Sequence, residues 1–467
     1  MNKYQTLAAN TILMSAGTFG SKLLVFLMVR FYTGYLTPAE YGTADLITQT
    51  ANLLIPLVSL DITDAVFRFA ADRQGKRAEA FSVGLRVITL GSAGTLAVIA
   101  LLQGVPAVRA YGFLLASFVI ASCYHGLCAH FVRAQGNTAL FAVQGLFNTA
   151  LFIGLNVLFL AVFHWGIRGY VLSTTAANLI TTVLLIWKAR LWRDVRPGPV
   201  RGLRRQMPRY CVPLIPTAIF WWIMGVSDQY MVKWFLGSDA NGIYAVAYKI
   251  PTILTILAAV LLDAWQLSAI AESDGDRQAR LRFFGRIWDA FASAVFLGAE
   301  GIIALSPLLI RLLAEEAYYD AWRYIPVLTL SMAAAAFSNF LGSVYVVTKR
   351  SAASFWTSLS GAGTNIVLNL WLIPRMGLQG AAATFASCLV VFLIRLVNAR
   401  QLLPFLLSGR KLAIGVTALL VQTLFLLFRW PGWVLAQLAG LAVLLLLGLP
   451  ALLSTLRVTL YRKQANV

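Results

Sequence analysis

Two lysines stand inside apolar runs, where a helix tolerates charge least. Lys22 lies near the start of FGSKLLVFLMVRFYTGYLTPAEYG, residues 19–42, and near the middle of the apolar run 8–33, and Lys249 lies two residues before Pro251 in a later run, GIYAVAYKIP. At ~1.5 Å per residue, Lys249 is roughly 13 Å deep in its run. A charge at the centre of a membrane helix costs at least ~2.5 kcal/mol, so it faces protein, water or a ligand. An ammonium in such a place can neutralise an anion that has left water. Carboxylates occupy comparable depths: Asp45, Asp61 and Asp64 in the second run, Asp228 in the seventh, Asp263 in the eighth, and Asp289 and Glu300 in the ninth. Asp61 and Asp64 are three residues apart with Arg68 four beyond, so they are expected to share a helix face and pair along it. Asp45 and Asp228 either pair with Lys249 and Lys233 or hold a proton or Na⁺ that drives a conformational cycle, because a buried carboxylate's proton affinity follows its local charge.

Other chemistries lack their residues. Cys123, Cys128, Cys211 and Cys388 are scattered through apolar segments without metal spacing, and His125, His130 and His164 form no ligand cluster. No Gly-rich phosphate loop precedes a strand, which argues against ATP hydrolysis. The acidic stretch LAEEAYYD, residues 313–320, reads as a solvated loop. No catalytic residue, metal or cofactor is expected.

The elements that must carry these charges are membrane helices. The 467 residues are 59% hydrophobic and 12% charged, with a mean hydropathy of +0.76, too little polar surface for a soluble globule of this size. Apolar runs of roughly 20 residues, the length that crosses a bilayer, recur from end to end. They give fourteen expected spans: 8–33, 40–66, 79–103, 109–133, 138–163, 167–189, 211–235, 240–270, 285–312, 322–348, 352–373, 379–400, 411–429 and 432–456. The opening MNKYQTLAANTILMSAG lacks a cleavage site and is expected to stay as the first helix. With the N-terminus inside, most of the 38 basic residues fall at the cytoplasmic side and only Lys22, Arg86 and Lys249 in mid-span, which favours cytoplasmic termini. The net charge of +20 then needs no nucleic acid. Its densest block, KARLWRDVRPGPVRGLRRQMPR, reads as a linker lying near anionic headgroups. Pro56, Pro213, Pro216, Pro251 and Pro307 fall inside spans as hinges or packing kinks.

That linker divides two similar halves. YLTPAEYG at residues 35–42 aligns with FLGSDANG at 235–242, and LNVLFLAVFHWGIRG from Leu155 echoes LNLWLIPRMGLQG from Leu368. Two echoes in corresponding places indicate duplication of a six-span unit. Six is even, so both copies enter the membrane alike, with a site between them. The expected domains are a six-helix bundle at 1–189, a basic cytoplasmic linker at 190–210, a second six-helix bundle at 211–400, and two extra helices with a basic tail at 401–467.

These segments, with DLITQTANLLIPLVSLDITDAVFRFAAD, SDQYMVKWFLGSDANGIYAVAYKIP and LNLWLIPRMGLQGAAATFAS, resemble over the whole chain the polysaccharide-transport, O-antigen flippase-like branch of the multidrug/oligosaccharidyl-lipid/polysaccharide (MOP) exporter superfamily. The resemblance implies an all-α polytopic protein of about 14 transmembrane helices. Two six-helix bundles would form a V-shaped, MATE-like pair with spans one, two, seven and eight around a cationic cavity, and two C-terminal helices would follow. It implies a flippase of the bacterial cytoplasmic membrane that carries an undecaprenyl-diphosphate-linked oligosaccharide between leaflets. Membrane lipids and other polysaccharide-assembly proteins are its expected partners.

Under that resemblance Lys22 and Lys249 would neutralise the diphosphate, and Arg68 would attract it or serve as a positive-inside anchor. Arg30 and Lys233 would form a release-side cation ring or snorkel to headgroups. Arg86, outside the cavity spans, would be ion-paired or snorkelling. Phe220, Trp221, Trp222, Tyr244 and Tyr248 would stack on sugars or serve as membrane-edge and helix contacts. A peptidoglycan lipid-precursor flippase and a multidrug or ion antiporter of the same fold are the alternatives within transport. A membrane polysaccharide polymerase or ligase is the alternative outside it, and the short outer loops argue against it.

Overall fold

A computed structural model of the chain describes residue 20 and residues 24–71, 77–196, 202–212, 215–271, 277–347, 351–402 and 409–464. The described residues contain helices and turns and no strand. Hydrocarbon dictates this: with no water to satisfy N–H and C=O groups, a crossing segment must satisfy them within itself. The helices are α1 (Leu24–Tyr35), α2 (Pro38–Ser59), α3 (Ile62–Ala71), α4 (Arg77–Leu101), α5 (Pro106–Ala134), α6 (Thr138–Asn156), α7 (Gly166–Lys188), α8 (Leu203–Cys211), α9 (Ile215–Leu236), α10 (Ser238–Lys249), α11 (Thr252–Ala271), α12 (Arg277–Leu313), α13 (Ile325–Val347), α14 (Ser351–Met376), α15 (Ala382–Leu402), α16 (Gly409–Leu427) and α17 (Trp433–Gln464). Among the described residues, ten spans are long and apolar enough to cross a membrane, or eleven if the bent α14–α15 pair is one span. The expected fourteen differ from this measure at the first two spans and at the eleventh and twelfth. The first lies largely outside the described residues, and the second carries Glu40, Asp45 and a break.

The chain divides into two compact units, Met1–Trp222 and Ile223–Val467. In the first, α5 is the central helix, packed by α2, α3, α4 and α7, while α6 contributes little buried surface. A capping box starts α2: Thr37 Oγ1 accepts from Glu40 N, the Glu40 carboxylate accepts from Thr37 N, and Pro38 takes the first turn. The helix ends where Leu60 and Asp61 both adopt positive φ, 50° and 52°, four and five residues after Pro56. Asp61 therefore lies before α3, and the expected shared face with Asp64 does not form. Arg68 lies over the Tyr210 ring of α8, 4.7 Å from its centroid, instead of pairing along the helix. The start of the basic linker docks on α4: Arg196 N donates to Ser82 Oγ at 2.7 Å and Ser82 Oγ lies 3.2 Å from the Asp194 carbonyl. Arg86, expected to be ion-paired or snorkelling, donates to the Arg196 carbonyl at 2.9 Å.

In the second unit the central helix is α13, 78% buried over its apolar window, against α15, α12 and α11. Arg395 of α15 is 2% exposed and fastens three helices. It donates to the Ser338 carbonyl of α13 at 2.9 Å and to Thr357 Oγ1 and Ser358 Oγ of α14 at 3.2 and 3.3 Å. A Cβ on Gly342 would stand 2.6 Å from that guanidinium, so the close approach needs glycine. The last two helices are tied to α12 by polar groups. Gln422 and Gln437 exchange side chain-to-carbonyl bonds between α16 and α17 at 3.4 and 3.1 Å, and Glu300 of α12 is buried at 1% exposure. Asp289, farther back on α12, makes a membrane-edge ion pair with Lys411 of α16 at 3.2 Å.

Candidate functional site

The most elaborate polar site in either unit is built on Asp228, 1% exposed on α9. Helix α10 starts after Gly237, whose φ of 91° turns the chain back so that Tyr244 faces α9. The Tyr244 hydroxyl donates to Asp228 Oδ2, and Thr384 Oγ1 of α15 donates to the same oxygen at 2.8 Å. The backbone N–H of Gln229 reaches Oδ1 at 3.0 Å. Donors aimed at an ionised acceptor are charge-assisted and stabilise it in a dry interior.

A second set of side chains continues the site. Ser227 Oγ donates to Asn365 Oδ1 of α14 at 2.6 Å, and Asn369 Nδ2 donates to the same oxygen at 2.9 Å. Asn365 Nδ2 in turn reaches Ser387 Oγ of α15 at 3.3 Å, one helical turn from Thr384. Asn369 Oδ1 and Gln229 Oε1 are buried without a hydrogen-bond donor. Carboxylate and amide oxygens are acceptors, the ligand type that protons and hard cations take.

The cations expected to face a ligand are distributed as follows. Lys249 is half-buried, the final residue of α10, in the middle of the 22-residue apolar span Ser238–Ala259. Thr252 Oγ1 bonds its carbonyl across the break at Pro251, and the negative end of α10's dipole favours an ammonium there. Lys233 is half-buried in the last turn of α9. Asp228 takes the Tyr244 and Thr384 hydroxyls where the sequence suggested Lys233. Lys22 lies outside the described residues. In the first unit Arg30 and Arg68 are exposed, on α1 and α3, and Asp45 is fully buried on α2.

The aromatic candidates separate. Tyr244 is 0% exposed and committed to Asp228, which removes its ring from a sugar-stacking set. Tyr248 is half-buried with its ring 6.3 Å from that of Tyr244. Trp221 is half-buried, and Trp222 donates its indole N–H to the Gln49 carbonyl of α2 at 2.9 Å. Side chains absent from the sequence reading are Asn365, Thr384, Ser387 and Arg395. Their signal was available: Asn365 with Asn369 and Thr384 with Ser387 are polar pairs at helical spacing inside apolar runs.

The profile of the polysaccharide biosynthesis protein family matches residues 7–265, more than half of the chain. A comparison with curated protein sequences gives no significant match. Among solved structures, the lipid II flippase MurJ in an inward closed conformation superposes with a TM-score of 0.71 at 13% identity, covering 93% of this chain and 98% of that one. An inward-facing MATE multidrug-resistance transporter of the MOP superfamily gives 0.65 at 14% identity, over 82% and 95%. The MATE multidrug transporter DinF-BH gives 0.61 at 17% identity, over 87% and 98%. At these identities the likeness concerns the fold.

Proposed function

The chain belongs to the polysaccharide biosynthesis protein family, a multi-pass membrane protein with the MOP transporter fold, and from that premise we propose that it moves a lipid-linked oligosaccharide across the membrane. The cargo is an undecaprenyl-diphosphate-linked repeat unit, carried from the cytoplasmic to the outer leaflet by alternating access without catalysis. The protein works in the bacterial cytoplasmic membrane with both termini cytoplasmic. Bundles at 1–189 and 211–400 rock about the 190–210 linker, and 401–467 supplies two additional helices. Lys22 and Lys249 neutralise the diphosphate, Arg68 stands near the way in, and Arg30 and Lys233 stand on the way out. Trp221, Trp222 and Tyr248 contact sugar. Asp228 holds the coupling proton or Na⁺, with Asp45 as the first-half candidate.

The observation that carries this reading is a half-buried lysine in the middle of an apolar span, at a helix break, in a member of a polysaccharide biosynthesis family. A cationic interior suits a diphosphate and disfavours the cationic drugs that an exporter would carry. The test is binding of purified protein to undecaprenyl-diphosphate with and without sugar, comparing wild type, Lys22→Ala and Lys249→Ala. Binding that needs the diphosphate and weakens in both variants supports the proposal. Binding untouched by either substitution would make the lysines structural, and preference for the peptidoglycan precursor would reassign the cargo.

A further inference from the structure

One end of the second unit carries a hollow that the transport reading does not use. The helical turns Glu316–Arg323 close over the end of α12, and α16 ends as α17 begins beside them. Between them lies a hollow of about 460 Å³ whose lining includes Pro307, Arg311, Tyr319, Trp322, Arg429 and Trp433. Its described lining contains two guanidinium groups and no carboxylate. Arg311 lies over the Tyr319 ring at 5.3 Å and Arg429 over the Trp322 ring at 5.2 Å. Stacking restrains both guanidinium planes while leaving their edge N–H groups for a ligand, and both arginines are exposed.

Two features separate this from ordinary snorkelling at a helix end. Arg429 has a φ of 47°, just past the end of α16, where Trp430 N bonds the Phe425 carbonyl at 3.2 Å. That is the left-handed position glycine takes at helix C-termini, so an arginine is held there against its backbone preference. The charge bias of the chain, moreover, assigns this end to its cation-poor face, where convergent arginines are uncommon.

We propose that this hollow binds the phosphate headgroup of an anionic membrane lipid, with Arg311 and Arg429 as its cations and Trp433 beside the glycerol and upper acyl region. The volume lies in the range of small-ligand pockets, enough for a glycerophosphate group. Tryptophan at the rim matches the headgroup level of a bilayer. The site stands on this unit's geometry alone and is independent of the cargo assigned above.

The test uses the unaltered full-length protein in phosphatidylcholine vesicles, with and without phosphatidylglycerol, and treats it with phenylglyoxal, which modifies accessible arginines. Mass spectrometry of the peptides reads the rate at each site, with exposed Arg109 and Arg168 as internal references for surface potential. The expected result is a slowing of at least about fivefold at Arg311 and Arg429 by phosphatidylglycerol, beyond any change at the references, with no matching slowing by inorganic phosphate. Equal rates in both vesicles, or slowing by inorganic phosphate alone, would overturn the proposal. In a second arm, phosphatidylglycerol should raise the wild-type melting temperature, and the Arg311→Gln/Arg429→Gln protein should lose that increment. An unchanged increment in the double variant would also overturn it.

Discussion

The polar crossing between α6 and α7 and the one between α14 and α15 are built alike and end differently. In the first unit Asn148 reaches Asn178 Oδ1 and Thr181 Oγ1, both at 3.1 Å, and Asn178 continues to Ser122 of α5 at 3.0 Å. In the second, Asn365 reaches Ser387, and through Ser227 it adjoins Asp228. The echoed asparagines, Asn156 and Asn369, are both fully buried with an Oδ1 that has no donor. The central helices, α5 and α13, are the fourth and tenth expected spans, again six apart. The frame is therefore shared and the carboxylate is not: two hundred residues before Asp228 stands buried Met28. The difference is local to the two crossings: Asp228 takes a hydroxyl from α15 beside the second, whereas the first is held by neutral bonds alone.

The largest break in that comparison is expected at Arg395. Arg395→Leu leaves a buried carbonyl and two hydroxyls of α13 and α14 without their donor, and should cost about 3 kcal/mol of stability. Arg395→Lys should recover little of it, since an ammonium cannot span three divergent acceptors. Unfolding in detergent that leaves either variant within error of wild type would sink this account. Next in size is Asp228→Asn, which keeps shape and removes charge. It should lower transport into inverted vesicles by at least about tenfold, equivalent to ~1.4 kcal/mol of lost coupling, with melting unchanged. Transport at the wild-type rate would show the second interior to be as structural as the first. Asn178→Ala should do the reverse, lowering stability by about 1 kcal/mol, in the range of hydrogen bonds between membrane helices, while transport stays near wild type.

The two halves also differ in how much of them could be read beforehand. Hydropathy marks spans because every crossing helix must be apolar, and the turn at Tyr35–Gly42 matched to Phe235–Gly242 returned as helices starting at Pro38 and Ser238. The break near Pro251 was legible from one residue. The break at Leu60–Asp61 was not, because two non-glycine residues there adopt a conformation their side chains disfavour, closed by capping bonds from Leu60 N to the Leu57 carbonyl and from Asp61 N to the Pro56 carbonyl. Asp228 was visible as an intramembrane acid, whereas its partners Tyr244 and Thr384 were not assigned to it, since they come from separate helices and pairing between helices leaves no mark in one sequence. Arg395 stands near the end of the expected span 379–400 and drew no reading; its depth depends on where α13 and α14 pack.

The smallest expected effect lies in the linker, which docks on the first unit through Asp194. Gln135 donates to its carboxylate at 3.2 Å. Burial pushes the Asp194 carboxyl above its usual range, and this outweighs Arg196, Gln135 and Arg77, which pull it down. A raised folded value means that the folded chain holds this proton more tightly than the unfolded one. The group's contribution to stability is thus fully present below the ordinary aspartate value of about 3.9 and is lost as pH rises through the raised one. Asp194→Asn removes the titration and keeps an amide of the same size. Relative to that variant, wild type should lose melting temperature as pH rises from about 3 to about 7, because only wild type must then ionise in a partly desolvated site. If wild type instead gains on the variant over that range, the arginines dominate Asp194. The linker would then be held to the first half by charge, in contrast to the neutral bonds of the α6–α7 crossing.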